Sequence, residues 1–304
     1  MATNTNIYLG RPGALEIIYA PKGNIERTRV RLVDVFGLGG GGYRVSKQLG
    51  GARRYQIDYT RLTYETFKTL EAYDQGHNGV GPFVFLDPSQ RNILTPNQSS
   101  ATSERNDTNN FTVSGSGATI ASSSTVYRRG PRSLAMTFQF AGTTGGVACD
   151  TPALDWIGFP LVTGRNMCFS AWVLGGGTDG VMTVRATIRV YDITGTLLTT
   201  YVDLTTVVTN TSTWQQVSVQ AYSPTAGQVW AIPRLEVISG VNAGDIIYMD
   251  QLNFHEGTTN DTTWSPGTGI LPVSVVSLAD AWPITAPTYR EKPTLILQEV
   301  GNGG

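Results

Sequence analysis

A mainly β protein is predicted by three features of this 304-residue sequence. Thr, Gly and Val are abundant while lysine occurs only at Lys22, Lys47, Lys68 and Lys292, a composition of strands and turns rather than helices. Segments of strand length recur between clusters of Gly, Asn and Asp, the spacing of an all-β sandwich or barrel. One segment alone carries a full set of helix signals. The expected architecture is mainly β, a split N-terminal β-barrel or sandwich with one short helix, plus an inserted β-sandwich.

The elements follow in order. Residues 15–19 and 29–36 read as extended, the second alternating basic with apolar side chains as a half-exposed strand does. The glycine run 39–42 leads into Tyr43-Arg44-Val45. It lacks the Lys-Ser/Thr or GxGxxG arrangement of a phosphate cradle, so a flexible loop is expected. Residues 52–60 form another strand. A helix over 64–75 is capped by Thr63, with Leu62 placed to staple onto Phe67. Tyr64, Phe67, Leu70 and Tyr73 make its apolar face, and Gly76 stops it. Residues 80–88 then form a buried strand that ends at the Asp87-Pro88 turn.

Residues 97–110 are polar and lack an apolar anchor, which predicts a linker. The sequons at Asn106 and Asn210 are most simply products of Thr richness. From 111 to 256 strands are expected at 111–113, 118–120, 133–140, 167–174, 181–192, 197–207, 213–222, 229–238 and 245–255. Turns at 175–180, 192–195 and 242–245 separate several of them. Residues 257–288 are rich in Pro and Gly, and 293–300 form a last strand.

Charge sharpens the division. Only 15% of residues are charged and the net charge is −1, against about 25% charged in typical soluble chains. Residues 1–100 carry a net +4 and the remainder −5, so a boundary falls near residue 100. The lysine-free stretch between Lys68 and Lys292 holds the whole sandwich region. Basic character returns at the end, which suggests that the last strand rejoins the first module. The expected domains are 1–97 plus 265–304, and 100–260.

Several function classes are disfavoured. A balanced charge gives no field to recruit nucleic acid. No run of about 18 apolar residues is present to span a membrane. Met1-Ala2-Thr3-Asn4-Thr5-Asn6 has neither a basic nor an apolar region, so no secretory signal is expected. Cys149 and Cys168 have no zinc spacing. They read as two buried thiols or, if their strands pair, a disulfide. His77 lies in a turn-like stretch and His255 after an apolar strand, neither with a motif partner. With no GxSxG and no recognisable carboxylate pair, the chain reads as a non-enzyme.

Two resemblances complete the picture. Residues 61–97, with Gly81-Pro82-Phe83-Val84-Phe85-Leu86-Asp87-Pro88 and Asn92-Ile93-Leu94-Thr95-Pro96-Asn97-Gln98-Ser99, precede the late segment 285–300, with Leu295-Ile296-Leu297-Gln298-Glu299-Val300. Together they resemble the N-terminal module of minor and distal tail proteins of long-tailed bacteriophages. Residues 111–257 carry Gly130-Pro131-Arg132-Ser133-Leu134, Cys168-Phe169-Ser170-Ala171-Trp172, Trp214-Gln215-Gln216-Val217 and Ile247-Tyr248-Met249-Asp250 in that order. They resemble the jelly roll of carbohydrate-binding modules with a galactose-binding-like fold.

The first resemblance implies a structural virion protein of the tail tip, made in the host cytoplasm. It would form a homo-oligomeric ring, hexameric or trimeric, between tail tube and hub proteins. Loops such as 37–54 would reach neighbouring subunits, and Arg27, Arg29, Arg31, Arg53 and Arg54 would face acidic partners, the tube lumen or simply solvent. The second resemblance implies contact with host-surface glycans. The alternative is an adhesin for which the N-terminal module is only an anchor. Sugar faces stack on exposed aromatic rings, which selects Trp156, Trp230 and Tyr127 as candidate platforms, while Trp172 and Trp214 read as core. Asp250 stands where such modules often supply a structural calcium ligand, with Glu104 and Asp107 as helpers. No other cofactor is expected.

Overall fold

The computed structural model describes residues 7–18, 25–29, 33–37, 43–47, 52–87, 92–151, 156–202, 207–259, 263–270, 272–281 and 289–300. The glycine run, residues 39–42, and Arg31 lie outside the described residues. The chain divides into two compact units, residues 1–88 with 271–304, and residues 89–270. It is mainly β, with antiparallel pairing throughout and no closed barrel among the described strands.

In the first unit the strands in chain order are β1 (Ile7–Arg11), β2 (Ala14–Ile18), β3 (Ile25–Arg29), β4 (Val33–Gly37), β5 (Tyr43–Lys47), β6 (Arg53–Asp58), β7 (Arg61–Thr63) and β8 (Phe83–Leu86). Helix α1 (Tyr64–Asp74) lies between β7 and β8. After the second unit the chain adds β21 (Pro272–Ala281) and β22 (Tyr289–Glu299). The sheet order is β2-β1-β8-β21-β22-β6-β3, with β7 beside β22, while β4 and β5 form a separate hairpin. Among the described strands the sheet is therefore open, with β2 and β3 at its edges.

Helix α1 is built as its sequence dictates. The Thr63 hydroxyl accepts from the Thr66 N–H at 3.3 Å, and Gly76 takes the positive φ of +75° that ends the helix. Phe67, Leu70 and Tyr73 are buried. Leu70 and Tyr73 join Ile7, Leu9, Ile57, Phe83, Phe85, Leu295 and Leu297 in one apolar cluster. Tyr73 meets Phe83 edge-on at 4.9 Å. Two of the arginines expected to face acidic partners are ion-paired within the unit, Arg27 with Asp87 and Arg53 with Glu299.

The second unit opens with the four-residue helix α2 (Pro96–Ser99). Its strands are β9 (Phe111–Ser114), β10 (Ala118–Ser123), β11 (Ser133–Phe138), β12 (Gly145–Cys149), β13 (Phe159–Pro160) and β14 (Met167–Gly176). They continue as β15 (Thr183–Tyr191), β16 (Leu197–Val202), β17 (Val207–Val208), β18 (Gln215–Tyr222), β19 (Trp230–Ser239) and β20 (Ile246–Glu256). One sheet runs β10-β11-β20-β14-β18. The other runs β16-β15-β19-β12-β9, with β13 beside β19 and β17 beside β15.

Alternation along these strands drives one face of each sheet inward. Phe169, Ala171 and Val173 of β14 are fully buried, as are Val184, Ala186, Ile188 and Val190 of β15. Phe254 of β20 meets Phe159 at 5.6 Å and Phe169 at 6.4 Å. Cys149 and Cys168 are buried free thiols, on strands of opposite sheets.

Residues 97–110 are not a free linker. Asn97, Gln98, Ser99 and Thr102 are buried, each held by hydrogen bonds. Gln98 Nε2 donates to the carbonyls of Asn110 and Asp150 at 2.7 and 2.6 Å. The Trp264 indole N–H donates to the Ser99 carbonyl at 3.0 Å. Upstream, Asn92 and Ile93 bond to β20 through the Leu252 carbonyl and the Phe254 backbone. Polar side chains tolerate burial when their hydrogen bonds are made, and hydropathy cannot register that.

Candidate functional site

The β15–β19 ladder sets Arg185 opposite Glu236, Thr187 opposite Arg234 and Arg189 opposite Ile232. Leu235 and Val237 are buried between the sheets. Alternation therefore sends Arg234 and Glu236 to the outer face, beside Arg185 and Arg189. On the other flank of β19, β12 sets Gly146 opposite Glu236, and β9 sets Ser114 opposite Gly146. These strands enclose an open groove of about 390 Å³, lined by the three arginines, Glu236, Ser114 and Thr144 among others.

Glu236 is the hub of the groove. Its Oε2 accepts from Arg185 Nε at 3.0 Å and from Arg185 Nη2 at 2.9 Å. Its Oε1 lies 3.4 Å from Arg189 Nη2 and 3.3 Å from Arg234 Nε. Arg234 Nη2 also donates to Ser114 Oγ. Burial first, and then neighbouring Arg189, lowers the proton affinity of Arg234, against the opposing pull of Glu236. Gly146 is what lets Arg234 lie flat. A Cβ there would come 2.5 Å from the Leu235 carbonyl oxygen and 2.7 Å from Arg234 Nε.

Trp230 lies on the same face of β19, four residues before Arg234, or about 13 Å along the strand at about 3.3 Å per residue. It was expected to be an exposed platform, but it is only 3% exposed. Trp156, from the loop between β12 and β13, is half-buried with its ring centroid 6.0 Å from that of Trp230. Trp156 is the ring that solvent reaches, and Trp230 is its support.

The other candidates lie by the five-stranded sheet. Tyr127 is 48% exposed in the turn before β11. Next to it, the Arg128 guanidinium sits 3.5 Å over the Trp172 ring. Trp172, expected in the core, is instead half-buried and points outward from β14. Trp214 is also half-buried.

Asp250 is fully buried. Its Oδ2 accepts the backbone N–H groups of Arg128 and Arg129 at 2.7 and 2.8 Å, and its Oδ1 accepts that of Gln251 at 2.7 Å. Burial raises its carboxyl above the ordinary carboxylate range, and these N–H groups pull it back down. The residues do not fit calcium, which needs several oxygen ligands. Three N–H dipoles point their positive ends at this carboxylate. Among the described residues no group of three or more His, Cys, Asp or Glu is placed to hold a metal. Asp107 accepts from Asn97 Nδ2 and the Asn109 N–H, and Glu104 is exposed.

The arginine–glutamate cluster was not among the sequence-derived candidates. Its faint signal is the alternation Arg185-x-x-x-Arg189 and Arg234-x-Glu236, two strand faces carrying charge in an otherwise charge-poor region.

No family model matches the chain, and no curated protein matches it either. Solved structures do show similarity. One is the CBM22-1 xylan-binding domain of Paenibacillus barcinonensis Xyn10C, at 15% identity and TM-score 0.40, covering 53% of this chain and 94% of that one. Another is the enzymatically active domain of bacteriophage CBA120 tailspike protein 4, at 16% and 0.38, covering 55% of this chain and 22% of that one. A third is TmCBM61 in complex with β-1,4-galactotriose, at 14% and 0.37, covering 55% and 99%. At such scores no ligand, activity or partner is carried over.

Proposed function

We propose that residues 89–270 bind glycans along the outer face of the seven-stranded sheet, in a chain that serves as a structural subunit of a phage tail tip. The observation that carries the glycan reading is the groove itself. It is an open, strand-built concavity with convergent polar side chains, and Trp156 stands on the same face. Sugar recognition needs those two elements, a ring for the CH face and fixed polar groups for the hydroxyls. Strands fix both more firmly than loops would. Binding involves no catalytic step. Tyr127 is a second exposed ring, set apart from the groove on the other sheet.

The test is a glycan array and a cell-wall pull-down with the full chain. Saturable binding is expected, and Trp156→Ala weakens it at least about tenfold, or about 1.4 kcal/mol. Wild-type binding by that variant, with its circular dichroism unchanged, would exclude the face as the site.

The tail-tip reading has its own support in the open sheet of the first unit. Strands β2 and β3 have no outer partner among the described strands, and such an edge is the usual template for pairing with another chain. Ile17 on β2 is 51% exposed. The expected product is a closed ring of three or six copies lying between tail tube and hub proteins, assembled into the virion after synthesis in the host cytoplasm. Native mass spectrometry of the purified chain checks this, and a monomer at tens of micromolar counts against the ring. An adhesin merely anchored by its first unit would also be monomeric and would keep its glycan binding.

A further inference from the structure

We infer that the groove selects an anionic sugar, whose carboxylate or phosphate seats between Arg189 and Arg234. This rests on the groove being a glycan site and adds the chemical class of its ligand.

The cluster is unbalanced in charge. Three guanidinium groups share a single carboxylate, which leaves the cluster at a formal +2. Arg185 takes Oε2 with two bonds near 3 Å, a geometry suited to a carboxylate. Arg189 and Arg234 are left with the long contacts to Oε1, beside the bond from Arg234 Nη2 to Ser114 Oγ. Arg189 Nε is buried and makes no hydrogen bond, and Arg234 Nε has only its 3.3 Å ion-pair contact with Glu236 Oε1. Arg234 is about nine-tenths buried, too enclosed for bulk water to screen its charge well.

Buried cationic donors without acceptors are normally avoided. Here the two side chains border an open groove of about 390 Å³ rather than a packed interior, and Arg189 reaches it with about a third of its side chain exposed. A neutral hydroxyl would fill a donor's hydrogen bond and leave the charge. An anionic oxygen pair does both, and planar guanidinium forks suit carboxylate and phosphate alike. Glu236 already occupies one side of the cluster in this manner, so the ligand's anion completes the other side. Gly146 leaves room for Arg234 to lie flat beside the groove, since a Cβ there would come 2.7 Å from Arg234 Nε. The rest of the unit is poor in charge, so the selectivity is local.

The experiment uses the full chain and three sets of probes. The first is a panel of polyuronates, namely polygalacturonate, alginate and hyaluronan. The second is the same polymers after reduction of their carboxyl groups. The third is a glycerol-phosphate polymer. Binding is measured at 20 and 300 mM salt. The proposal expects at least one anionic polymer to bind tenfold or more tightly than its neutral counterpart, or, for the phosphate polymer, than every neutral polymer, with affinity falling as salt rises. Which polymer binds tells carboxylate from phosphate.

Arg189→Gln should weaken anionic binding about tenfold more than it weakens neutral binding, while Arg189→Lys restores part of it. Trp156→Ala should weaken both. Equal binding of neutral and anionic polymers, or wild-type affinity in Arg189→Gln, overturns the anion proposal while the glycan site stands. If no glycan in either experiment binds, both fall.

Discussion

Replacing Phe254 with alanine should lower the stability of the second unit by about 4 kcal/mol, the usual cost of deleting a buried phenyl ring. The ring is fully buried between the two sheets and touches rings from both, Phe159 beside β19 and Phe169 on β14. Its neighbours are strand residues pinned by ladder hydrogen bonds, so the cavity cannot collapse easily. Urea unfolding followed by tryptophan fluorescence checks this, with the midpoint shifted and the slope unchanged. The Phe254→Leu variant fills much of the space and should lose considerably less. A loss under about 1 kcal/mol for alanine would mean that the two sheets do not meet at this residue.

Asp250→Ala should cost about 3 kcal/mol. It leaves the N–H groups of Arg128, Arg129 and Gln251 without their acceptor, at about 1 kcal/mol for each bond lost. For a unit of this size the melting temperature should fall by about 6–12 °C. Asp250→Asn keeps one acceptor but turns an amide NH₂ toward a backbone donor, so it should lie between wild type and alanine. Because the carboxylate is committed to backbone donors, neither EDTA nor added calcium should move the melting temperature. A calcium-dependent rise would restore the metal reading of this position. The same bonds hold the turn that carries Tyr127 and lays Arg128 over Trp172, so the alanine variant should also expose the Trp172 ring.

Much of the sandwich was legible. Strands alternating between apolar and polar residues, with Gly, Asn and Asp at their ends, marked β14, β15, β19 and β20 within a few residues. Helix α1 was readable from its Thr63 cap and its Phe67, Leu70, Tyr73 face. Other elements escaped for definite reasons. β12 begins Gly145-Gly146, a pair with no strand signal, yet Gly145 lines the groove and Gly146 lies against Arg234. β21 begins at Pro272 inside a Pro- and Gly-rich stretch, and its pairing with β22 supplies the pattern that its own residues lack. Residues 97–110 looked like a linker because their anchors are hydrogen bonds.

The candidate site was less legible than the fold. Trp156 and Trp230 were singled out as large rings near turns, but sequence alone could not say which covers the other. Arg185 and Glu236 are 51 positions apart, and nothing local in either segment indicates their pairing.

By itself the sequence determined the fold class, the helix, most of the strands and the dilution of charge. Each of these is a local matter, settled by residue type and by the period with which apolar side chains recur. The tertiary structure decided which strands are neighbours and in what register. A register shift of one residue sends every side chain of a strand to the opposite face. The observed β15–β19 register puts three arginines and a glutamate together on the outer face, and β12 beside it gives them room. Burial patterns in a single strand fix which residues face inward. Only pairing across the sheet decides which outward charges meet.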